Sequence, residues 1–241
     1  MRRVADLLRA IASRGAAGTR LVDLARQCRL ERPTAHRLLK ALDAEGLVAR
    51  DEAARTYTLG PLAFELGLAA AHHFHARDLC APALQAIAER TGDTVFLSMR
   101  SGLDSVCIDR REGRFPIKTL TLDVGTRRPL GIGAGGLALL ASLDDAEVDA
   151  VLAANAWRLA AYDGMRAPVL TDMVRRARRL GYALNDRQAT PGAMSVGFAI
   201  PARQGAPVLA ISVGAIASRM QPARQREIAK IVRGEIRSLS T

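Results

Sequence analysis

Residues 21–60 constrain this chain more than any other stretch. Leu21-Val-Asp-Leu-Ala-Arg-Gln-Cys28 places Leu21, Leu24 and Ala25 at one-face helical spacing. Residues 29–32 form a break. Pro33 then opens a second helix, over 33–45, at a first-turn position where a missing N–H costs no hydrogen bond. Ala35, Leu38, Leu39 and Leu42 of that helix face a core, and Gly46 stands where a C-cap glycine belongs. Residues 47–50 and 56–59 alternate like two strands around the polar turn 51–55. Two helices on a tight turn, followed by a hairpin, make a winged helix-turn-helix. That shape presents its second helix to the major groove of DNA.

The outward side of the second helix carries Arg32, Pro33, Thr34, His36, Arg37 and Lys40, and the hairpin adds Arg50 and Arg55. These groups are placed to meet base edges and phosphates, so double-stranded DNA is the expected partner. A solvated amphipathic helix would carry similar residues; its position ahead of a wing favours DNA. Charge agrees with this reading without establishing it. Residues 1–60 hold 12 Lys+Arg against 7 Asp+Glu, and the rest of the chain holds 23 against 17, so the field is densest at the N-terminus. Because 32 of the 35 basic residues are Arg, coding bias accounts for the net +11 equally well.

Cysteines at 28, 80 and 107 are odd in number and contain no CxxC pair, which argues against a disulfide framework or zinc ribbon and fits a reducing cytoplasm. The first helix, over 2–14, is interrupted by Asp6 and Arg9 and has no signal-peptide core. No run approaches the roughly 20 apolar residues of a membrane span, so no membrane partner is expected. His72, His73, His75, Asp78 and Cys80 resemble a metal-ligand cluster. Histidines closing a helix are favoured by its dipole alone, and no metal is assigned.

Three regions follow from the pattern: a DNA-binding domain over 1–60, a linker and dimerisation helix over 61–76, and a second domain over 77–241. In the last, strands are expected at 94–100, 105–111, 118–124, 195–200 and 208–214, with helices near 137–143, 146–154, 170–180 and 223–239. Strands at both ends with helices between them give an α+β class, an antiparallel sheet flanked by helices. The loop 131–136 matches GxGxxG, but residues 127–130 separate it from the preceding strand and no βα unit follows. Its free amides still suit a carboxylate or phosphate. No catalytic residue is assigned: there is no nucleophile in a recognisable motif, and no histidine follows His75.

Taken together, Arg32-Pro-Thr-Ala-His-Arg-Leu-Leu-Lys-Ala-Leu42, Tyr57-Thr-Leu-Gly60, Val124-Gly-Thr-Arg-Arg-Pro-Leu130, Gly133-Ala-Gly-Gly136, Arg179-Leu-Gly-Tyr-Ala183 and Ala210-Ile-Ser-Val-Gly214 resemble the IclR family of bacterial transcription regulators over essentially the whole chain. The resemblance implies a winged helix-turn-helix, a linker helix and a GAF-like effector domain. It also implies a dimer or tetramer that binds an operator and answers a small organic acid, aromatic or aliphatic. Carried over by motif, the effector pocket would comprise Ile117, Leu120, Ala134, Gly135, Asn185, Ser195 and Ser212. The chain departs from the family pattern at Gly131, where histidine is common, at Leu137, where lysine is common, and in Asn185-Asp-Arg-Gln188, which retains one acid. Arg127 and Arg128, ahead of a proline turn, are expected to be mainly solvated. The expected function is a ligand-responsive DNA-binding regulator without cofactor or enzymatic step. The alternatives are a cofactor-binding enzyme using loop 131–136, or an effector-independent repressor.

Overall fold

The structure is a computed structural model describing residues 1–13, 15–71, 75–186, 191–201 and 209–239. It divides into two compact units, Met1–His75 and Ala76–Thr241.

In the first unit, α1 (Arg2–Ala12), α2 (Leu21–Gln27) and α3 (Arg32–Ala44) enclose Leu7, Ile11, Leu24, Leu39 and Leu42, together with Val48 and Tyr57 from a small sheet. Ala35, Leu39 and Leu42 are buried, while Leu38 is half-buried at the edge of the same cluster. Strand β1 (Thr19–Arg20), absent from the sequence reading, joins the hairpin of β2 (Val48–Asp51) and β3 (Thr56–Leu59) in the order β1-β3-β2. The wing register runs from Val48↔Leu59 to Asp51↔Thr56, and the Ala54 amide donates to Asp51 Oδ1 at 2.8 Å to close the turn.

Helices α2 and α3 end in the same device. Gly46 at φ 69° lets its amide reach the Asp43 carbonyl at 3.0 Å while the Leu47 amide reaches that of Leu42 at 3.0 Å. Arg29 does the same after α2 at φ 52°, its amide reaching Arg26 at 3.2 Å and that of Leu30 reaching Ala25 at 2.8 Å. The second case uses a residue that ordinarily avoids the left-handed region. Helix α4 (Pro61–Ala71) completes this unit, with Phe64 68%, Leu66 54% and Leu68 55% exposed.

The second unit is built on a six-stranded antiparallel sheet. Its strands are β4 (Thr94–Ser101), β5 (Asp104–Arg111), β6 (Arg127–Pro129), β7 (Ala183–Asn185), β8 (Ala193–Ile200) and β9 (Leu209–Ile216), in the order β6-β5-β4-β9-β8-β7. The α+β class holds. Helices α5 (Ala76–Thr91) and α9 (Pro222–Leu239) cover one face, burying Leu84, Ile87, Ile228 and Val232 against Val95, Leu97, Val196, Phe198, Ile211 and Val213. Helices α6 (Gly133–Ala141), α7 (Asp145–Leu159) and α8 (Ala167–Leu180) build a second core around Leu137, Leu140, Val151 and Leu170.

Strand alternation sorts residues between these layers. Large aliphatics point to α5 and α9, whereas Phe96, Ser98, Ser212, Gly214 and Gly197 point toward α6. On β5, Ile108 has no partner on β4, because pairing passes from Leu97↔Asp109 to Ser98↔Cys107. This bulge sends Cys107 and Asp109 to opposite faces although they are two residues apart. Asp109 meets Arg77 of α5 at 3.6 Å and Arg111 at 3.1 Å. Buried Asp93 holds Arg219 at 2.8 Å and Arg224 at 3.1 Å, tying the start of β4 to the approach and first turn of α9.

The expected strand over 118–124 is not formed; that segment is a loop. Its alternation runs opposite to a core strand, with Thr119 buried and Leu120 53% exposed.

Candidate functional site

Two surfaces carry the chemistry. The first lies on α3, where Arg32, Pro33, His36, Arg37 and Lys40 are exposed and Thr34 is half-buried. Helix α3 has no acid in its first turn and no side-chain cap, so its N-terminal amides stay available. Among the described residues Arg32, Arg37 and Lys40 have no ion-pair partner, whereas Arg9 pairs with Asp6 and Arg26 with Asp23. Arg50 is less free: it meets Glu52 at 3.1 Å and lies 6.0 Å from the centre of the Tyr57 ring. Arg55 stands exposed at the wing tip in the left-handed region, φ 53°.

The second surface is a cavity of about 30 Å³ in the second unit. Its floor is the small-residue face of the sheet: Phe96 and Ser98 of β4, Ser105 and Cys107 of β5, Ser195 of β8, and Ser212 and Gly214 of β9. Its roof is the first turn of α6, from Gly133 to Gly136. The loop ahead of β6 supplies Thr119, Thr121 and Thr126, and Arg128 of β6 and Asn185 of β7 close the sides.

Glycines set the distances between floor and roof. A Cβ on Gly197 would stand 2.2 Å from the Ala134 carbonyl oxygen, so the start of α6 rests directly on β8. A Cβ on Gly135 would stand 2.9 Å from Ser98 Oγ and 3.4 Å from Ser212 Oγ. Ser98 and Ser212 are almost wholly buried, and neither hydroxyl has a partner among the described residues. Asn185 Oδ1 and Thr119 Oγ1 are likewise buried without one. Helix α6 begins at Ile132 without a side-chain cap. Unspent donors and acceptors therefore converge on one small space, the condition in which a polar ligand replaces missing hydrogen bonds.

Of the seven residues carried to this pocket, Ala134, Gly135, Asn185, Ser195 and Ser212 line the cavity. Ile117 and Leu120 do not: they are 56% and 53% exposed, on the outward side of the loop whose Thr119 and Thr121 turn in. The loop gives the interior at that point the hydroxyls of Thr119 and Thr121, with Leu122 beside them, and leaves Ile117 and Leu120 outside. The expectation for Arg127 and Arg128 also fails. Arg127 donates to Asp104 Oδ2 at 3.0 Å, and Arg128 lines the cavity and donates to the Thr121 carbonyl at 2.7 Å. Burial pushes the Arg128 pKa down from its ordinary value, though an arginine keeps its charge throughout.

Sequence reasoning missed Ser98, Ser105, Cys107, Thr119, Thr121 and Arg128. The available signal was the run of small polar residues at alternate strand positions, where a buried face ordinarily carries aliphatics. Burial pushes the Cys107 thiol up to about 11 and that of Cys28 to about 11, so neither is a nucleophile. His72 and His73 lie outside the described residues. Among those described, no three His, Cys, Asp or Glu side chains are grouped to hold a metal. Loop 131–136 opens α6 from an antiparallel edge strand, not from the parallel βαβ unit a dinucleotide site requires.

Comparison with known proteins identifies the family of both units. Residues 2–52 match the IclR helix-turn-helix domain, and residues 68–241 match the family described as bacterial transcriptional regulator IclR C-terminal. The HTH-type transcriptional repressor AllR of Klebsiella pneumoniae is 29% identical over 86% of this chain and 76% of its own length. An IclR family regulator from Brucella abortus superposes with a TM-score of 0.79 at 21% identity, covering 99% of this chain and 90% of that one. An IclR homologue from Microbacterium hydrocarbonoxydans, solved with 4-hydroxybenzoate, gives 0.66 at 20% identity and 98% of each chain. The chain belongs to the IclR family of bacterial transcriptional regulators, and its first unit is that family's DNA-binding helix-turn-helix domain. Regulation, not catalysis, is the role of that family.

Proposed function

We propose that this regulator is a repressor that grips its operator through α3 and the wing, as at least a dimer, and is controlled by a short organic acid held in the cavity. The observation that carries the reading is the cavity, in which unpartnered Ser98 and Ser212 hydroxyls face the uncapped start of α6. Arg32, Pro33, Thr34, His36, Arg37 and Lys40 are assigned to the groove, with Arg50 and Arg55 on flanking phosphates. Ala134, Gly135, Asn185, Ser195 and Ser212 are assigned to the effector. The repressor assignment is supported by the AllR relatives, and the acid by the 4-hydroxybenzoate held by a structural neighbour. A cavity of about 30 Å³ holds roughly two waters on a scale where one needs 10–15 Å³. Its size favours an acid of few heavy atoms.

A single winged head buries too little surface for tight specific binding, so assembly is part of the proposal. The exposed Phe64 and Leu68 of α4, one turn apart, offer an apolar face for a second copy. No helix among the described residues is long and apolar enough to cross a membrane, and a DNA reader works where the chromosome is, in the cytoplasm.

The test is selection of genomic fragments by the full-length protein, followed by footprinting with and without small acids. A pseudo-palindromic footprint released by one acid supports the reading. A footprint indifferent to every acid in the set would return the chain to an effector-independent repressor.

A further inference from the structure

We propose that Arg128 is the anion-recognising residue of the cavity, pairing with the ligand's carboxylate beside the start of α6 while Ser98 and Ser212 take the ligand's hydroxyl or keto oxygen. The proposal rests on the reading of the cavity as an acid-binding site, and it names the counter-charge that reading leaves unspecified.

Neighbouring arginines of this unit are spent on carboxylates. Arg127 pairs with Asp104 at 3.0 Å, Arg110 with Asp123 at 2.9 Å, Arg100 with Glu147 at 2.6 Å, and Arg219 with Asp93 at 2.8 Å. Arg128 meets no carboxylate among the described residues, although it is half-buried and in the cavity wall. Its Nη2 is committed to the Thr121 carbonyl. Its Nη1 points to the roof, 4.0 Å from where a Cβ on Gly133 would stand. That position lies at the uncapped end of α6, where four amides lack helical partners and the helix field favours negative charge.

A half-buried guanidinium without a counter-ion is costly to keep in a folded protein. A ligand carboxylate supplies the missing charge, and the donors of Nη1 and the first α6 amides converge on it from two sides. One helical half-turn on, at Gly135, the donors are neutral hydroxyls. The site therefore has a charged pole and a neutral pole, which selects a monoanionic hydroxy or keto acid over a dicarboxylate or a neutral polyol. Thr121 adds a link to the loop: the carbonyl that holds Arg128 belongs to the segment whose outer side exposes Ile117 and Leu120.

The test uses the full-length protein and matched pairs of probes: glycolate with glycolamide, lactate with lactamide, and 4-hydroxybenzoate with 4-hydroxybenzamide. Calorimetry on the wild type is expected to show the best acid bound well ahead of its neutral amide. Arg128→Gln is expected to weaken that acid by roughly 10- to 100-fold, the loss of one charge-assisted contact, while leaving the amide unchanged, so the acid-to-amide ratio collapses. Arg128→Lys should retain part of the preference. A residue that merely braced the loop would lower both affinities together. Equal binding of acid and amide by the wild type would overturn the proposal without any variant. So would an acid that binds wild type and Arg128→Gln equally, and in that case the cavity reading survives. If none of these acids binds the wild type, the acid-binding reading falls first and this proposal with it.

Discussion

Gly197 of β8 and Ala134 of α6 stand so close that a side chain on Gly197 would begin 2.2 Å from the Ala134 carbonyl oxygen. The obstructing atom is backbone, and the helix it belongs to also packs on α8 through Leu140 and Leu170. Gly197→Ala therefore has no cheap relief. It should cost on the order of 3 kcal/mol, the upper part of the overpacking range, and displace the cavity roof. Chemical denaturation of the full chain measures this. A midpoint equal to wild type would show that α6 is not seated on the sheet by this contact.

Gly135 gives the milder version of the same experiment. Its neighbours are rotatable hydroxyls, Ser98 and Ser212, so Gly135→Val should fold and still bind operator while losing its response to acid. Ser212→Ala should weaken the acid only by the roughly 0.5–1.5 kcal/mol of a neutral hydrogen bond. Titrating the operator complex with the active acid distinguishes the two. A normal response from Gly135→Val would move the ligand elsewhere.

On α3, Arg32→Ala and Arg37→Ala should each lower operator affinity by about 1–3 kcal/mol if the contact is to a base edge, and relax specificity at one position. Lys40→Ala should instead weaken all sequences alike and flatten the salt dependence by about one ion. None of the three is buried or ion-paired among the described residues, so thermal stability should stay at the wild-type value. Unchanged operator affinity for both arginine variants would place the groove contact on another element.

How much of this was readable beforehand differs between the two units. The winged head was legible nearly residue by residue, because Pro33, Gly46 and the leucine spacing all report local backbone demands. What stayed hidden was β1, too short at two residues to show a period, and the way α2 is capped, since Arg29 takes a conformation that glycine would have advertised. The second unit hid more. Strands β6 and β7 are three residues each, too short to show a period. Loop 118–124 alternates like a strand yet turns Thr119 and Thr121 inward, with Leu122 beside them, and leaves Leu120 outside. Arg128 was unreadable because its partners, the Thr121 carbonyl and the start of α6 at Gly133, are near in sequence but meet around it only once the loop folds back over the sheet.

Helix α4 carries the assembly prediction. Phe64→Glu removes the largest exposed apolar group of the proposed seam without touching the core of the head. Light scattering should show the variant shifted toward monomer at micromolar concentration, with operator affinity falling in parallel. A wild-type mass for Phe64→Glu would place the subunit contact on a different surface.

Cys107 makes a prediction about pH. Its thiol is raised to about 11, first by burial, with Asp109 and Asp123 adding to the rise and Arg110 opposing it. Because the folded value is raised, the neutral thiol is the favoured form in the fold. Its contribution is complete below the unfolded value of roughly 8.5 and is lost as pH climbs toward 11. Alkylation by iodoacetamide at pH 8 should accordingly be slow in the native protein and rapid after unfolding. Equal rates would show that the cavity floor leaves this sulfur open and ionised.

The pairing of β4 with β9 also bears on how the molecule is made. The head needs nothing beyond residue 75, whereas the central strands of the sheet, joined from Thr94↔Gly214 to Met99↔Leu209, are far apart along the chain. At ordinary translation speeds β4 waits on the order of ten seconds for its neighbour to leave the ribosome. Ser212 and Gly214 arrive only with that strand, so the cavity is among the last features completed. A nascent chain halted before β9 would carry a finished DNA reader with nothing yet able to sense the signal that governs it.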